Sequence, residues 1–134
     1  MAPLILKYIK MKIVINNQIE HEHKACRRSL EFFKQENALL KYRLSEIVDS
    51  NEESGFLQLA EYFQNELLLK DEKLNKLINE LHQISDQFRE LENFKGMPEK
   101  LLLIQDQFRR DMLDFENSFL LLSKDFNKKM LTSN

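Results

Sequence analysis

The sequence predicts an all-α fold: an antiparallel three-helix bundle of long, coiled-coil-like helices with a short N-terminal extension. Three observations carry this expectation. The 134 residues include only two Gly and two Pro, too few for the phosphate loops of nucleotide-binding folds or the turns of an all-β domain. Those four residues, Pro3, Gly55, Gly96 and Pro98, leave long uninterrupted stretches between them. Within the first two stretches apolar residues recur in alternating steps of four and three, the heptad period, while the third contains repeated four-residue steps and is nearer the period of a straight helix. The composition is 43% hydrophobic and 31% charged, which suits one packed core and excludes a disordered chain.

Residues 1–16 form the expected extension, ahead of a single helical domain over 17–134. Between Leu4 and Ile15 the extension carries Lys7, Lys10 and Lys12 and no acid, and Ile9 to Ile13 alternate like a strand. The preferred expectation is a packed segment that closes one end of the bundle. A loose tail and a contact of residues 4–15 with a membrane surface are the alternatives. The stretch is too short and too charged to span a bilayer. It also lacks the run and cleavage site of a secretory signal, so a cytoplasmic location is expected.

The first helix is expected over about 17–49, with Ile19, His23, Cys26, Leu30, Phe33, Asn37, Leu40, Leu44 and Ile47 on its seam. The polar cluster from Asp49 to Gly55 ends it. Ser50 and Glu53 have capping-box spacing, so the second helix is expected over about 52–94, with Gly55 in its first turns. Its seam runs from Phe56 to Leu91, and Lys70 is the one residue off pattern. Gly96 suits a helix C′ position and Pro98 the first position of a third helix, over about 98–131. That helix is expected to bury Leu101, Ile104, Phe108, Met112, Phe115, Phe119, Leu122, Phe126 and Met130. Short connections make neighbours antiparallel, so facing residue numbers add to about 105 across the first hairpin and about 192 across the second.

Register places three crowded apolar runs at one height. Leu39, Leu68, Leu69, Leu120 and Leu121 belong to them. A three-helix bundle buries one stripe per helix, so some of these leucines should face outward as a dimer or partner interface; the alternative is that wide stripes fill the core and leave stray leucines outside. Asn37 interrupts the seam between Phe33 and Leu40, and Lys70 lies at the same height. A lone buried polar residue in a heptad seam sets register, the alternative being that Asn37 faces water at the edge of an oligomer; an Asn37–Lys70 contact would satisfy both groups in the core.

Glu20 and His23 have the i, i+3 spacing of metal ligands on one helix face, and His82 falls at the same height. A metal site on Glu20, His23 and His82 is therefore the alternative to one core-edge histidine and two surface ones. No second such motif accompanies it, so no metal and no cofactor is expected. Cys26 reads as a small core hydrophobe. Arg27, Arg28, Arg109 and Arg110 are flanked by acids, which argues against nucleic acid as a partner. No glycine-rich loop, catalytic dyad or hydrolase motif marks an enzyme.

The stretch from Leu39 to Val48, and Glu61 to Asn65 after a polar gap, resembles uncharacterised bacterial helical-bundle proteins with a coiled-coil signature. The likeness covers about residues 19–94 and implies no activity. In size and shape the chain is also similar to small helical export chaperones. The expected function is a non-enzymatic interaction or scaffolding module that self-associates or docks a helical partner. A metal-binding bundle and a secretion-type chaperone are the alternatives.

Overall fold

Between Pro3 and Gly55 nothing in the sequence stops a helix, and one helix occupies nearly the whole interval. A computed structural model describes residues 2–51, 53–93 and 99–131. Helix α1 runs Ala2–Asp49, α2 runs Ser54–Arg89 and continues as a 3₁₀ turn over Glu90–Asn93, and α3 runs Glu99–Phe126 and ends in a π turn over Asn127–Leu131. The described residues contain three α-helices and no strand. At 1.5 Å per residue α1 is about 70 Å long.

The first correction concerns the N-terminal segment. It is neither a strand nor a separate extension: α1 begins at Ala2 rather than near residue 17. Proline is tolerated in a first helical turn, and extending an existing helix costs far less than starting one. The β-branched alternation from Ile9 to Ile13 does not outweigh that cooperativity. The segment also does not close the bundle end as a packed element. Leu4, Leu6, Met11, Ile13 and Val14 are 50–75% exposed. Among the described side chains, burial begins with Ile15, packed partly against the core, and Ile19.

The first hairpin turns where expected, by different bonds. Ser50 does not cap α2. Its hydroxyl and its amide both donate back to the Ile47 carbonyl, at 3.0 and 3.2 Å. Asn51 Oδ1 accepts from the Glu53 amide at 3.2 Å, an Asx-type turn that leads the chain into α2. Glu53 holds the cap position with extended backbone and no side-chain cap bond. The expected roles of Gly96 and Pro98 lie outside the described residues.

The three stripes meet in one core. Phe33 packs edge-on against Phe115 and Phe119, with ring centres 5.5 and 5.2 Å apart, and Phe63 meets Phe126 at 5.3 Å. His23 meets Gln105 and, ten residues on along both helices, Phe33 meets Phe115, so α1 and α3 are parallel; His23 meets Ser85 and Asn37 meets Asp71, so α2 runs antiparallel to both. On α3 one stripe position differs from expectation. Ile104 is 45% exposed, and Gln105 is wholly buried in its place. Gln105 lies four residues after Leu101 and three before Phe108, so it keeps the heptad steps that Ile104 breaks.

Candidate functional site

Gln105 enters the core because a polar partner waits there. His23 stands on the α1 seam and is 2% exposed. Its Nε2 lies 2.8 Å from Gln105 Oε1, and its Nδ1 lies 3.0 Å from Ser85 Oγ of α2. An amide oxygen only accepts, so Nε2 carries the proton and donates, while the serine hydroxyl donates to Nδ1. Phe88 closes on the imidazole edge-on at 5.6 Å. Each helix thus contributes one polar side chain to a single layer.

Beside this layer Arg109 grips Glu22 with two nitrogens. Nη2 donates to Oε2 at 2.7 Å and Nε to Oε1 at 2.5 Å, while Nη1 donates to Asp106. The Arg109 hydrogen bonds hold the Glu22 carboxyl below its ordinary range, against the opposing effect of burial. The same bonds raise Arg109 further above its usual value. The Gln105 amide also helps hold Glu22 ionised, although its Nε2 has no hydrogen-bond partner of normal geometry.

Glu20, His23 and His82 are not brought together. Both ring nitrogens of His23 are engaged by Gln105 and Ser85. Glu20 is exposed and pairs with Lys24 at 3.8 Å. His82 is exposed and lines an outer groove with Arg27, Arg28 and Glu31. Among the described residues no three His, Cys, Asp or Glu side chains are placed to hold a metal ion. The core-edge assignment of His23 is itself corrected, since the ring is fully interior. Cys26 is half-buried, and burial pushes its thiol up, which makes it a poor nucleophile.

A second polar layer sits around Asn37 and Lys70, which are 0% and 9% exposed. The expected contact between them is not made. Asn37 Nδ2 donates to the Leu67 carbonyl at 2.9 Å and to Asp71 Oδ1 at 2.7 Å. Lys41 donates to the other Asp71 oxygen. Lys70 instead reaches α3, donating to Ser118 Oγ at 2.8 Å with its ammonium 5.8 Å from the centre of the Phe115 ring. Adjacent helix positions diverge by about 100°, so Asp71 serves α1 while Lys70 turns to α3. Burial, with Lys73 nearby, pushes the Lys70 ammonium down from its usual pKa.

The five leucines of the belt are all on the outside. Leu39 is 40% exposed, Leu68 47%, Leu69 52%, Leu120 55% and Leu121 70%. They surround the rod rather than forming one patch. Leu68 shares the groove between α1 and α2 with Leu57, and Leu121 shares the groove between α2 and α3 with Tyr62. Leu39 lies seven residues after Phe32, and Leu120 seven after Leu113. Phe32 and Leu113 are more than half exposed, and seven residues make two turns, so each pair shares one outer stripe. Phe32, Leu57, Tyr62 and Leu113 were not among the expected interface residues. The seven-residue spacing marks Phe32 and Leu113 in the sequence.

Comparison with known proteins finds no matching family model, no matching curated protein and no matching solved structure.

The chemistry open to the chain follows from its two kinds of site. The Ser85–His23 pair sets a hydroxyl on an imidazole, the first half of a nucleophilic dyad. Ser85 is 6% exposed and His23 2%, so a substrate carbonyl has no approach to the hydroxyl while the bundle is closed. The polar layers bond mainly within the core, where Gln105 Nε2 and Asn37 Oδ1 are left without a partner. What the surface offers is apolar side chain.

Proposed function

We propose that the chain is a non-enzymatic protein–protein interaction or scaffolding module that self-associates or docks a helical partner through the leucine belt. The observation that supports this most directly is the exposure of Leu39, Leu68, Leu69, Leu120 and Leu121 at one height of the rod. Burying an exposed leucine stabilises by roughly 1.5–3 kcal/mol. Several together offset the freedom lost on association, which is about 4–15 kcal/mol. A cytoplasmic location is part of the same proposal.

The test is mass in solution across a concentration series, followed by Leu69→Glu with Leu120→Glu. The wild type is expected to run as an assembly and the double variant as a folded monomer, because a carboxylate there is desolvated only in the assembly. A wild type that stays monomeric at high micromolar concentration and captures no helical partner would overturn the proposal. Unfolding of the double variant would show that these half-exposed leucines support the bundle itself and would remove the interface from the belt.

A further inference from the structure

The belt leaves a second apolar surface unexplained, at the end of the rod where α1 outruns its neighbours. Seven residues upstream of the Glu22–Arg109 pair, Ile15 is level with Leu102, near the start of α3. Upstream of Ile15, Leu4, Leu6, Met11, Ile13 and Val14 are half-exposed or more. At the same end, α3 presents Leu103 at 67% and Ile104 at 45%. Leu4 and Met11 share one stripe of α1, as do Leu6 and Ile13, each pair being seven residues apart. Lys7 and Lys10 lie between those stripes and line one shallow groove with Leu6, Met11, Val14 and Ile15. That places two lysines among the apolar side chains of one face, and a lysine in such a setting can lay its methylene stem along hydrocarbon and extend its ammonium beyond it.

Charge selects the occupant. Lys7, Lys10 and Lys12 are the only charged residues ahead of Glu20; at the start of α3 the exposed Lys100 is offset by the exposed Glu99, so the basic excess at this end rests on the three α1 lysines. A second copy seated on the same stretch would set lysine against lysine. A basic helix with apolar side chains over a wide arc has what an anionic bilayer surface requires: hydrocarbon for the acyl boundary and ammonium groups for the phosphates. No described helix is long and apolar enough to cross a membrane, so the contact is a surface one. We propose that residues 4–15 of α1, with Leu103 and Ile104 of α3, dock the end of the rod on an anionic lipid bilayer.

The experiment is co-sedimentation of the full chain with vesicles of phosphatidylcholine alone and of phosphatidylcholine with phosphatidylglycerol, at low and physiological salt. Binding is expected to the anionic vesicles and to weaken with salt. Lys7→Gln with Lys10→Gln should weaken it by about 30-fold, from about fivefold per lysine near an anionic surface. Leu6→Glu with Met11→Glu should abolish it and leave the helical circular dichroism and the unfolding midpoint unchanged, since these side chains are exposed. Leu69→Glu with Leu120→Glu should keep vesicle binding, which separates this surface from the belt. The proposal falls if anionic vesicles sediment no protein, or if neutral vesicles sediment as much. It also falls if Leu6→Glu with Met11→Glu keeps binding while the belt variant loses it. A drop in assembly mass on Leu6→Glu with Met11→Glu, without vesicle binding by the wild type, would assign the surface to a second copy instead.

Discussion

His23 of α1 and Gln105 of α3 meet at 2.8 Å inside the core, 82 residues apart in the chain. The contact exists only when α1 and α3 lie parallel in one register, so it reports assembly of the whole bundle rather than of either hairpin. His23→Leu should test it. The substitution leaves the Ser85 hydroxyl and the Gln105 amide oxygen buried without partners, at about 1–3 kcal/mol each, so a loss of about 2–6 kcal/mol is expected in urea unfolding. Replacing the layer whole, as His23→Leu, Ser85→Ala and Gln105→Leu, should recover most of that loss or exceed the wild type. A single substitution costing under about 1 kcal/mol would mean that the ring contributes packing alone.

The helices were legible in the sequence because heptad steps and four breaker residues locate long rods almost unaided. Which residue faces inward was legible only where hydrophobicity and position agreed. At Ile104 and Gln105 they disagreed, and position won, because His23 offers Gln105 a partner that no one-dimensional pattern reveals. Lys70 and Asn37 were correctly placed in the seam, but their partners were not. The direction in which a long side chain leaves its helix depends on the neighbour that meets it, here Ser118 rather than Asn37. The exposed leucines were legible as crowding, while the wrapping of the belt around three faces needed the grooves themselves.

Acid should weaken the bundle through Glu22. Its carboxyl lies below the ordinary value of 4.5, mainly through the Arg109 hydrogen bonds. A depressed carboxylate contributes stability that is present above the unfolded value and lost as pH falls through the folded one. The expected window is therefore below about pH 4.5. The pair is partly exposed, at 31% and 46% of the two side chains, and solvent screening limits it to about 1 kcal/mol. Urea midpoints measured from pH 7 down to pH 3 should fall less steeply in Glu22→Gln than in the wild type. Parallel curves would show that the pair contributes nothing.

Gly55→Ala should stabilise the protein. Gly55 is the second residue of α2, has no positive φ, and an added methyl group would meet nothing within 4 Å. Alanine removes conformational freedom from the unfolded chain and gains helix propensity, for about 0.5–1 kcal/mol. Thermal unfolding should shift upward by a few degrees. A lower midpoint would show that the turn entering α2 needs the glycine for a motion absent from its folded geometry.

Asn37 offers the sharpest separation between stability and specificity. Its Nδ2 is satisfied by Leu67 and Asp71, but its Oδ1 is buried without a partner. That oxygen is a standing cost, and Asp71 keeps the Lys41 ammonium when Asn37 is gone. Asn37→Leu should therefore raise the urea midpoint, by about 1 kcal/mol of stability. The removed donor also tied α1 to α2 at one height, and a seam of leucines alone fits more than one register. Amide resonances near Phe33, Leu40 and Leu67 should then double or broaden in Asn37→Leu, where the wild type gives single sharp signals. Lys70→Met is the control, because Lys70 bonds Ser118 across the other hairpin and its loss should leave the resonances around Asn37 single. A less stable Asn37→Leu with sharp single resonances would reverse the assignment. The amide would then be there for its hydrogen bonds, and register would be set by the His23 layer alone.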